Sequence, residues 1–185
     1  EHPLASLVST DDSGFPFITH LPLKLEEEGG APQRLLGHCA RGNPLWGYLQ
    51  RRPLALASFM GPQAYMSPKV YADLQRVPTW CYLAVQVRVQ AQLLEGEAAK
   101  DALLKQLIGD HEPPYATQWR ALPEDYTERM LQGIVAFELA IVDLQCAVKL
   151  NQHRPEAHAA MHQAYAQGGP QEQALAQWMQ RLGMV

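Results

Sequence analysis

The chain has 185 residues, of which 47% are hydrophobic, so it is long enough to bury one core and too short for several domains. Its 15 lysines and arginines are outnumbered by 19 aspartates and glutamates, and the basic residues are scattered along the sequence. Because binding DNA through its phosphates requires several converging cations, this composition disfavours a protein that binds DNA on its own.

The cysteines indicate a reducing environment. Cys39, Cys81 and Cys146 are odd in number, lie far apart and show no C-x-x-C spacing. A disulfide scaffold is therefore not expected, and a cytoplasmic location is predicted. The apolar runs fall short of the roughly 20 residues of a membrane helix, so no membrane segment is predicted. Since the chain begins at Glu1 and a strand pattern already starts at Leu4, native residues are expected to precede it.

The first half of the chain carries strand signals separated by turn signals. Runs rich in apolar, β-branched and aromatic residues predict strands at 4–10, 15–23, 34–38, 54–59 and 80–94. Polar clusters predict hairpin turns at 11–14 and 26–32. In the longest run, Arg88 stands between Val87 and Val89, and this alternation is typical of an antiparallel strand with one dry face.

Helical signals appear only later in the sequence. They predict a helical excursion at about 97–132, a closing strand at 134–150, and two C-terminal helices that begin near Pro155 and Pro170. Several antiparallel strands with one helical excursion favour a small closed barrel, because closure removes the exposed edges of a sheet. The predicted fold class is therefore mainly β with helices.

The predicted domains are an antiparallel β-barrel over 1–150 and a C-terminal helical extension over 151–185. The last predicted helix carries an apolar stripe made of Ala174, Leu175, Trp178, Met179 and Leu182. Such a stripe requires a surface to cover it, which favours a homodimer. The alternative is that the stripe packs on the sheet of its own chain.

Four polar segments interrupt the apolar pattern where strands end, at 19–22, 37–46, 61–71 and 77–82. Strand ends and loops are common places for binding residues. Arg41 is the strongest candidate for contacting a phosphate, because its planar guanidinium matches phosphate oxygens. The alternative is an ordinary surface turn in which Asn43-Pro44 begins a helix and Arg41 forms a salt bridge.

The third and fourth segments combine aromatic rings with hydroxyl groups. Tyr65, Ser67, Thr79 and Trp80 offer the stacking surfaces and donors that a planar aromatic cofactor requires. The alternatives are a connecting loop with tyrosine rings that cap the barrel, and a Trp80 that packs in the core.

No metal site and no catalytic residue are predicted. His158 and His162 are four residues apart and share one helix face, but no third ligand is evident, whereas zinc usually takes three or four. The sequence contains no G-x-S-x-G nucleophile motif, no G-x-G-x-x-G dinucleotide motif and no phosphate-binding P-loop.

The polar segments resemble the signature of one protein family. They read T-H-L-P at 19–22, G-H-C-A-R-G-N-P-L-W at 37–46, G-P-Q-A-Y-M-S-P-K-V-Y at 61–71, V-P-T-W-C-Y at 77–82 and K-L-N-Q-H-R at 149–154. In this order the motifs resemble the PaiB family of FMN-binding transcriptional regulators. The resemblance implies a split β-barrel of the flavin-reductase and pyridoxamine-phosphate-oxidase type. It also implies a homodimer with FMN in a cleft between the subunits.

The resemblance also assigns cofactor-binding residues by position. These residues are Thr19, His20, Arg41, Asn43, Tyr65, Ser67, Thr79 and Trp80. The sequence departs from the family pattern near the same segments, at Met60, Gln63, Val70, Cys81 and Gln86.

Three functions are compatible with these features. The first is a regulatory protein whose cofactor occupancy changes its interaction with a transcriptional partner or with DNA. The second is an oxidoreductase that uses FMN to pass electrons between a nicotinamide and a small acceptor. The third is a family member that has lost FMN and binds haem or another planar ligand, and the five departures motivate it. The acidic charge and the lack of a helix-turn-helix pattern favour an indirect connection to DNA.

Overall fold

The structure is a computed structural model that describes residues 2–73 and 75–185. Glu1, the first residue of the predicted barrel, lies outside the described residues. The strands are β1 (Leu4–Thr10), β2 (Pro16–Pro22), β3 (Lys24–Glu28), β4 (Ala31–Ala40), β5 (Leu54–Met66), β6 (Thr79–Leu94) and β7 (Ile134–Lys149). The helices are α1 (Leu45–Arg51), α2 (Glu97–His111), α3 (Tyr115–Ala121), α4 (Glu124–Gln132), α5 (His158–Ala166) and α6 (Pro170–Arg181).

The strands form one sheet in the order β2-β1-β5-β6-β7-β4-β3. The pairs β1–β2, β1–β5, β3–β4 and β4–β7 are all antiparallel. On β6, Val87 and Val89 are buried while Arg88 between them is exposed, as the alternating pattern predicts. The predicted class, mainly antiparallel β with helices, is confirmed.

The first predicted hairpin is present. β1 and β2 pair from Leu4 opposite Pro22 to Thr10 opposite Pro16. In the turn, Asp11 Oδ1 accepts hydrogen bonds from the backbone N–H groups of Ser13 (2.8 Å) and Phe15 (2.9 Å). The aspartate side chain therefore replaces the backbone partners that the turn lacks, as is typical of an Asx turn.

The second predicted strand, 15–23, is present as one strand, β2, but the short strand that follows it was not predicted. β2 ends at Pro22, and β3 starts at Lys24 as a separate strand that pairs with β4. The turn between β3 and β4 contains Gly29 and Gly30 with φ values of +60° and +80°. Two consecutive positive φ angles are characteristic of the tight hairpin turns that glycine favours.

β5 is longer than the sequence predicts. The sequence predicts a strand that ends at 59, before a Gly-Pro pair that favours a turn, but β5 continues to Met66. A Cβ at Gly61 would lie 3.1 Å from the carbonyl oxygen of Leu83, so glycine lets β5 approach the β6 backbone closely. Beyond Pro62, Ala64 and Met66 are buried, and this burial keeps the segment extended.

The chain divides into two compact units. The first comprises Glu1–Phe59 and Gln86–Leu144, and the second comprises Met60–Val85 and Gln145–Val185. In the first unit, a small core of Leu36, Leu103 and Ala136 joins β4 and β7 to α2. The predicted boundary between residues 150 and 151 stays a prediction. None of the described helices combines the length and the apolarity needed to cross a bilayer.

The second unit has the larger core. Its buried members are Ala64, Met66, Cys81, Leu150, Met161, Tyr165, Leu175, Ala176 and Met179. Strand residues from β5 and β6 therefore pack directly against α5 and α6.

The apolar stripe of α6 is not the dimer surface that the sequence analysis favoured. Leu175 and Met179 are fully buried within their own unit, and Ala176 is buried beside them. Leu182, in contrast, is 46% exposed. The stripe packs against its own chain because β5 and β6 present apolar side chains that match it, so a dimer would need another surface.

Candidate functional site

Asn43 connects two of the predicted site segments in the first unit. It lies between β4 and α1, and its Oδ1 accepts a hydrogen bond from the backbone N–H of Leu45 at 3.0 Å. Its Nδ2 lies 3.4 Å from Thr19 Oγ1 on β2. The structure thus brings Thr19 and Asn43 together, and it confirms that the Asn43-Pro44 pair begins a helix.

Arg41 is anchored through its backbone and through one side-chain nitrogen. Its N–H donates to Gly133 O at 2.8 Å, and its carbonyl accepts a bond from Trp46 Nε1 at 2.9 Å. The guanidinium Nε donates to Gln132 O at 2.8 Å. Among the described residues, no carboxylate forms a salt bridge with Arg41, so the exposed guanidinium keeps donors for a ligand.

Arg41 also borders a cavity of about 730 Å³ within the first unit. The cavity lies between α1, the end of β6 and the start of α2, and Trp46 and Lys100 contribute to its lining. Lys100 is buried and donates to Leu131 O at 2.9 Å. Two cationic side chains therefore face one cavity, and only Arg41 is exposed.

His20 does not join Thr19 and Asn43. Consecutive residues of a strand point to opposite faces, and His20 follows Thr19 directly on β2. The His20 Nδ1 atom instead lies 3.1 Å from Ser6 Oγ on β1. The two residues of the T-H pair therefore do not act on the same face of the sheet.

His38 carries an unsatisfied polar atom. Its Nδ1 is buried and has no hydrogen-bond partner among the described residues. Burial lowers the pKa of His38 below its ordinary value, which favours the neutral form of the ring. The sequence offered no specific signal for this feature beyond the G-H dipeptide.

Tyr65 and Trp80 form an aromatic pair in the second unit. Their ring centroids are 6.3 Å apart and their planes meet at 66°. Tyr65 is 50% exposed and Trp80 is 48% exposed, so Trp80 is not the core residue of the alternative interpretation. Gln63 Oε1 accepts a hydrogen bond from Trp80 Nε1 at 3.2 Å and orients the indole. The pair offers aromatic surface to a planar ligand.

Ser67 and Thr79 occupy different surroundings within the second unit. Ser67 Oγ accepts a hydrogen bond from the backbone N–H of Lys69 at 3.2 Å and caps the 3-10 helix Pro68–Val70. Thr79 lines a separate pocket of about 220 Å³. The role of each in cofactor binding stays a prediction.

Two departures from the family pattern are accounted for by packing. Cys81 is fully buried in the core of the second unit, and Val70 packs against the same core. Burial raises the pKa of the Cys81 thiol, so it stays protonated. Met60 and Gln86 are exposed.

A comparison with protein families decides the classification. The family described as "Putative FMN-binding domain" matches residues 1–143. This chain belongs to that family. The "Protease synthase and sporulation protein PAI 2" of Bacillus subtilis, the PaiB protein, is 35% identical over 152 residues, which cover 80% of this chain and 72% of the relative. The PaiB resemblance is thereby confirmed, and it supports FMN as the cofactor of this PaiB-family chain.

Solved structures share the fold of this PaiB-family chain. The flavocytochrome Anf3 of Azotobacter vinelandii has a TM-score of 0.60 at 18% identity, with 81% of this chain and 63% of that chain covered. The FAD and heme binding protein of Mycobacterium smegmatis has a TM-score of 0.59 at 18% identity, with 80% and 66% covered. At these identities the likeness shows the fold alone, and it confirms the predicted split-barrel class.

Proposed function

We propose that this PaiB-family protein is a cytoplasmic, homodimeric regulator that binds FMN and acts on transcription through a partner protein. The observation that carries the proposal is the exposed Arg41 guanidinium, which is held at Nε and has no carboxylate partner among the described residues. A phosphate dianion that leaves water requires a cation at a fixed position and hydrogen-bond donors. The Arg41 guanidinium provides the charge and still has N–H donors that are not used by Gln132.

In each unit, other predicted residues are of types that FMN binding requires. In the first unit, Asn43 lies two residues after Arg41 in the chain. Asn43 and Thr19, which are joined by a hydrogen bond, add polar groups to this segment. In the second unit, the half-exposed rings of Tyr65 and Trp80 suit an isoalloxazine ring. When bound, FMN supplies a ring that accepts and donates electrons. Arg41 would bind the phosphate of this cofactor.

The charge distribution supports action through a partner. The net charge is −4, and several arginines already pair with carboxylates of the same chain. These arginines are Arg34, Arg51, Arg52, Arg76 and Arg129. Cations that are neutralised in this way contribute little to binding the DNA backbone.

Two titrations test the proposed function. FMN added to the purified protein should lose fluorescence as it binds, and the complex should show the visible absorption of oxidised flavin. Labelled promoter DNA should show no anisotropy increase with the protein alone, with or without FMN, at physiological salt. Salt-sensitive DNA binding by the protein alone would contradict the partner-mediated role. Sustained NADH oxidation by the FMN-loaded protein would favour the oxidoreductase.

The homodimer is expected to use an exposed apolar part of β7. Val142 and Leu144 are 60% and 40% exposed and lie two residues apart, so both point to the same face of the strand. We expect light scattering to give a dimer mass for the wild type and a monomer mass for Val142→Asp. Ile18→Asp, at an exposed position on β2, is the matched control and should leave the dimer intact. A wild-type monomer at micromolar concentration would contradict the prediction.

A further inference from the structure

The last turn of α4 presents backbone carbonyl groups that have no partner within the helix. In any α-helix the last four carbonyls lack the N–H donor that a further turn would supply. In α4 these carbonyls belong to residues 129–132. The N–H of Gly133 donates to the first two of them, at 3.1 and 3.2 Å. The carbonyls of Leu131 and Gln132 therefore need donors from other elements of the fold.

Two cationic side chains of the first unit supply these donors. Lys100 Nζ on α2 donates to Leu131 O at 2.9 Å, and Arg41 Nε donates to Gln132 O at 2.8 Å. The backbone N–H of Arg41 donates to the next carbonyl, Gly133 O, at 2.8 Å. Three consecutive carbonyls thus bind one lysine and one arginine. The C-terminal end of a helix carries partial negative charge, so both cations bind where that end attracts them.

Lys100 is fixed by burial. Its exposed fraction is only 8%, and Leu103, three residues later on α2, is buried in the small core with Leu36 and Ala136. Among the described residues, no carboxylate forms an ion pair with Lys100. A buried ammonium group without a carboxylate is costly unless it is hydrogen-bonded, so the bond to Leu131 O holds Lys100 and the end of α4 together.

Arg41 depends on the position of this helix end. Its guanidinium is exposed, and within the described part of the chain the bond from Nε to Gln132 O is its only side-chain hydrogen bond. Leu131 and Gln132 are consecutive residues of one turn, so a shift of that turn would move the acceptor of Arg41. Lys100, by fixing the turn, also fixes the direction of the exposed guanidinium.

We propose that Lys100 is a positioning residue for Arg41, which it affects through the last turn of α4. The proposal rests on the proposed function, in which Arg41 contacts the phosphate of FMN. Lys100 lies on the helical excursion, outside the five motifs of the family resemblance, and it acts without touching the cofactor. A donor that is already held in its binding direction loses less freedom when a ligand binds, so the excursion contributes to the affinity for FMN.

Lys100→Met tests the proposal, because methionine keeps an unbranched side chain and removes the donors. We expect FMN binding to weaken by about three- to tenfold, less than in Arg41→Ala, since the guanidinium stays but loses its fixed direction. The affinity for riboflavin, which has no phosphate, should not change. Lys100→Arg should restore FMN binding, because Lys100 borders the cavity and the cavity has room for the larger group. Lys105→Met removes an exposed cation of the same helix and should change neither affinity.

A double variant distinguishes positioning from direct contact. Arg41→Ala has no guanidinium to position, so adding Lys100→Met to it should cause no further loss of FMN affinity. An additive loss would overturn the proposal, because it would show that Lys100 acts on FMN without Arg41. Equal losses of FMN and riboflavin binding in Lys100→Met would also overturn it, since they would indicate general structural damage.

Hydrogen exchange of the Arg41 Nε–H, measured by NMR on the flavin-free protein, tests the positioning without FMN. The bond to Gln132 O should slow this exchange in the wild type, and Lys100→Met should speed it by about threefold or more. The Arg34 Nε–H, which donates to Glu26 at 2.6 Å, is the internal control and should not change. An unchanged exchange rate at Arg41 would overturn the proposal.

The exchange measurement also separates this proposal from the proposed function. If the wild type does not bind FMN, the proposed function fails, and the exchange rate of the Arg41 Nε–H still decides whether Lys100 positions it. If Lys100→Met does not fold, Lys100→Gln, which is shorter and uncharged, replaces it in every measurement with the same expected directions.

Discussion

Leu175→Ala should lower the free energy of unfolding by about 2–5 kcal/mol, as is typical when a fully buried leucine is truncated in a packed core. Leu175 is fully buried in the core of the second unit, together with Met66, Cys81 and Met161. The substitution removes buried methyl groups and leaves a cavity that these neighbours fill only in part. Chemical denaturation monitored by circular dichroism measures the change.

The same substitution at Leu182 is the matched control. Leu182 follows α6 and is 46% exposed, so Leu182→Ala should change the stability by much less than Leu175→Ala. Equal losses for the two variants would contradict the burial of the α6 stripe within its own chain.

Arg41→Ala should weaken FMN binding by about ten- to a hundredfold, because the substitution removes one charged hydrogen bond and the loss of such a bond changes the affinity by about this factor. The guanidinium is exposed at the cavity of the first unit, and its Nε is already held by Gln132 O. Fluorescence titration with FMN measures the effect. Riboflavin, which lacks the phosphate, should bind the wild type and Arg41→Ala with similar affinity, because the lost contact is to the phosphate.

Arg34→Ala is the control for this variant. Arg34 lies on the same strand, β4, but it already pairs with Glu26 at 2.6 Å and with Glu138 at 2.9 Å. It should leave the affinity for FMN unchanged. If Arg41→Ala binds FMN as the wild type does, Arg41 is not the phosphate contact.

Local patterns predicted most of the strands, because alternation and turn chemistry depend on neighbouring residues. Val87, Arg88 and Val89 lie on β6 as their alternation indicates, and the Asp11 turn joins β1 to β2. The extension of β5 through Gly61 could not be predicted in this way. A Gly-Pro pair usually marks a turn, and only the contact with the β6 backbone shows why the strand continues.

The sequence also could not predict which surface covers the apolar stripe of α6. Its period shows that Leu175 and Met179 need cover, but periodicity does not tell whether the cover is another subunit or the same chain. The residues that cover them, such as Met66 and Cys81, lie about a hundred positions earlier in the chain. Only the folded arrangement brings them together.

The candidate site was located through motifs, and its geometry came from the structure. The motifs place Thr19 and His20 side by side, whereas strand geometry sends their side chains to opposite faces. The sequence also could not predict the hydrogen bond between Asn43 and Thr19, because the two residues are 24 positions apart.

The composition of the second core has a practical consequence for anyone who shortens this protein. The family match ends at residue 143, which invites a recombinant fragment that stops there. Six of the nine buried members of that core, however, come from Leu150 and the helices that follow it. A fragment cut at the end of the family match would expose Ala64, Met66 and Cys81 to water and would aggregate, so the end of that match is not a limit of independent folding.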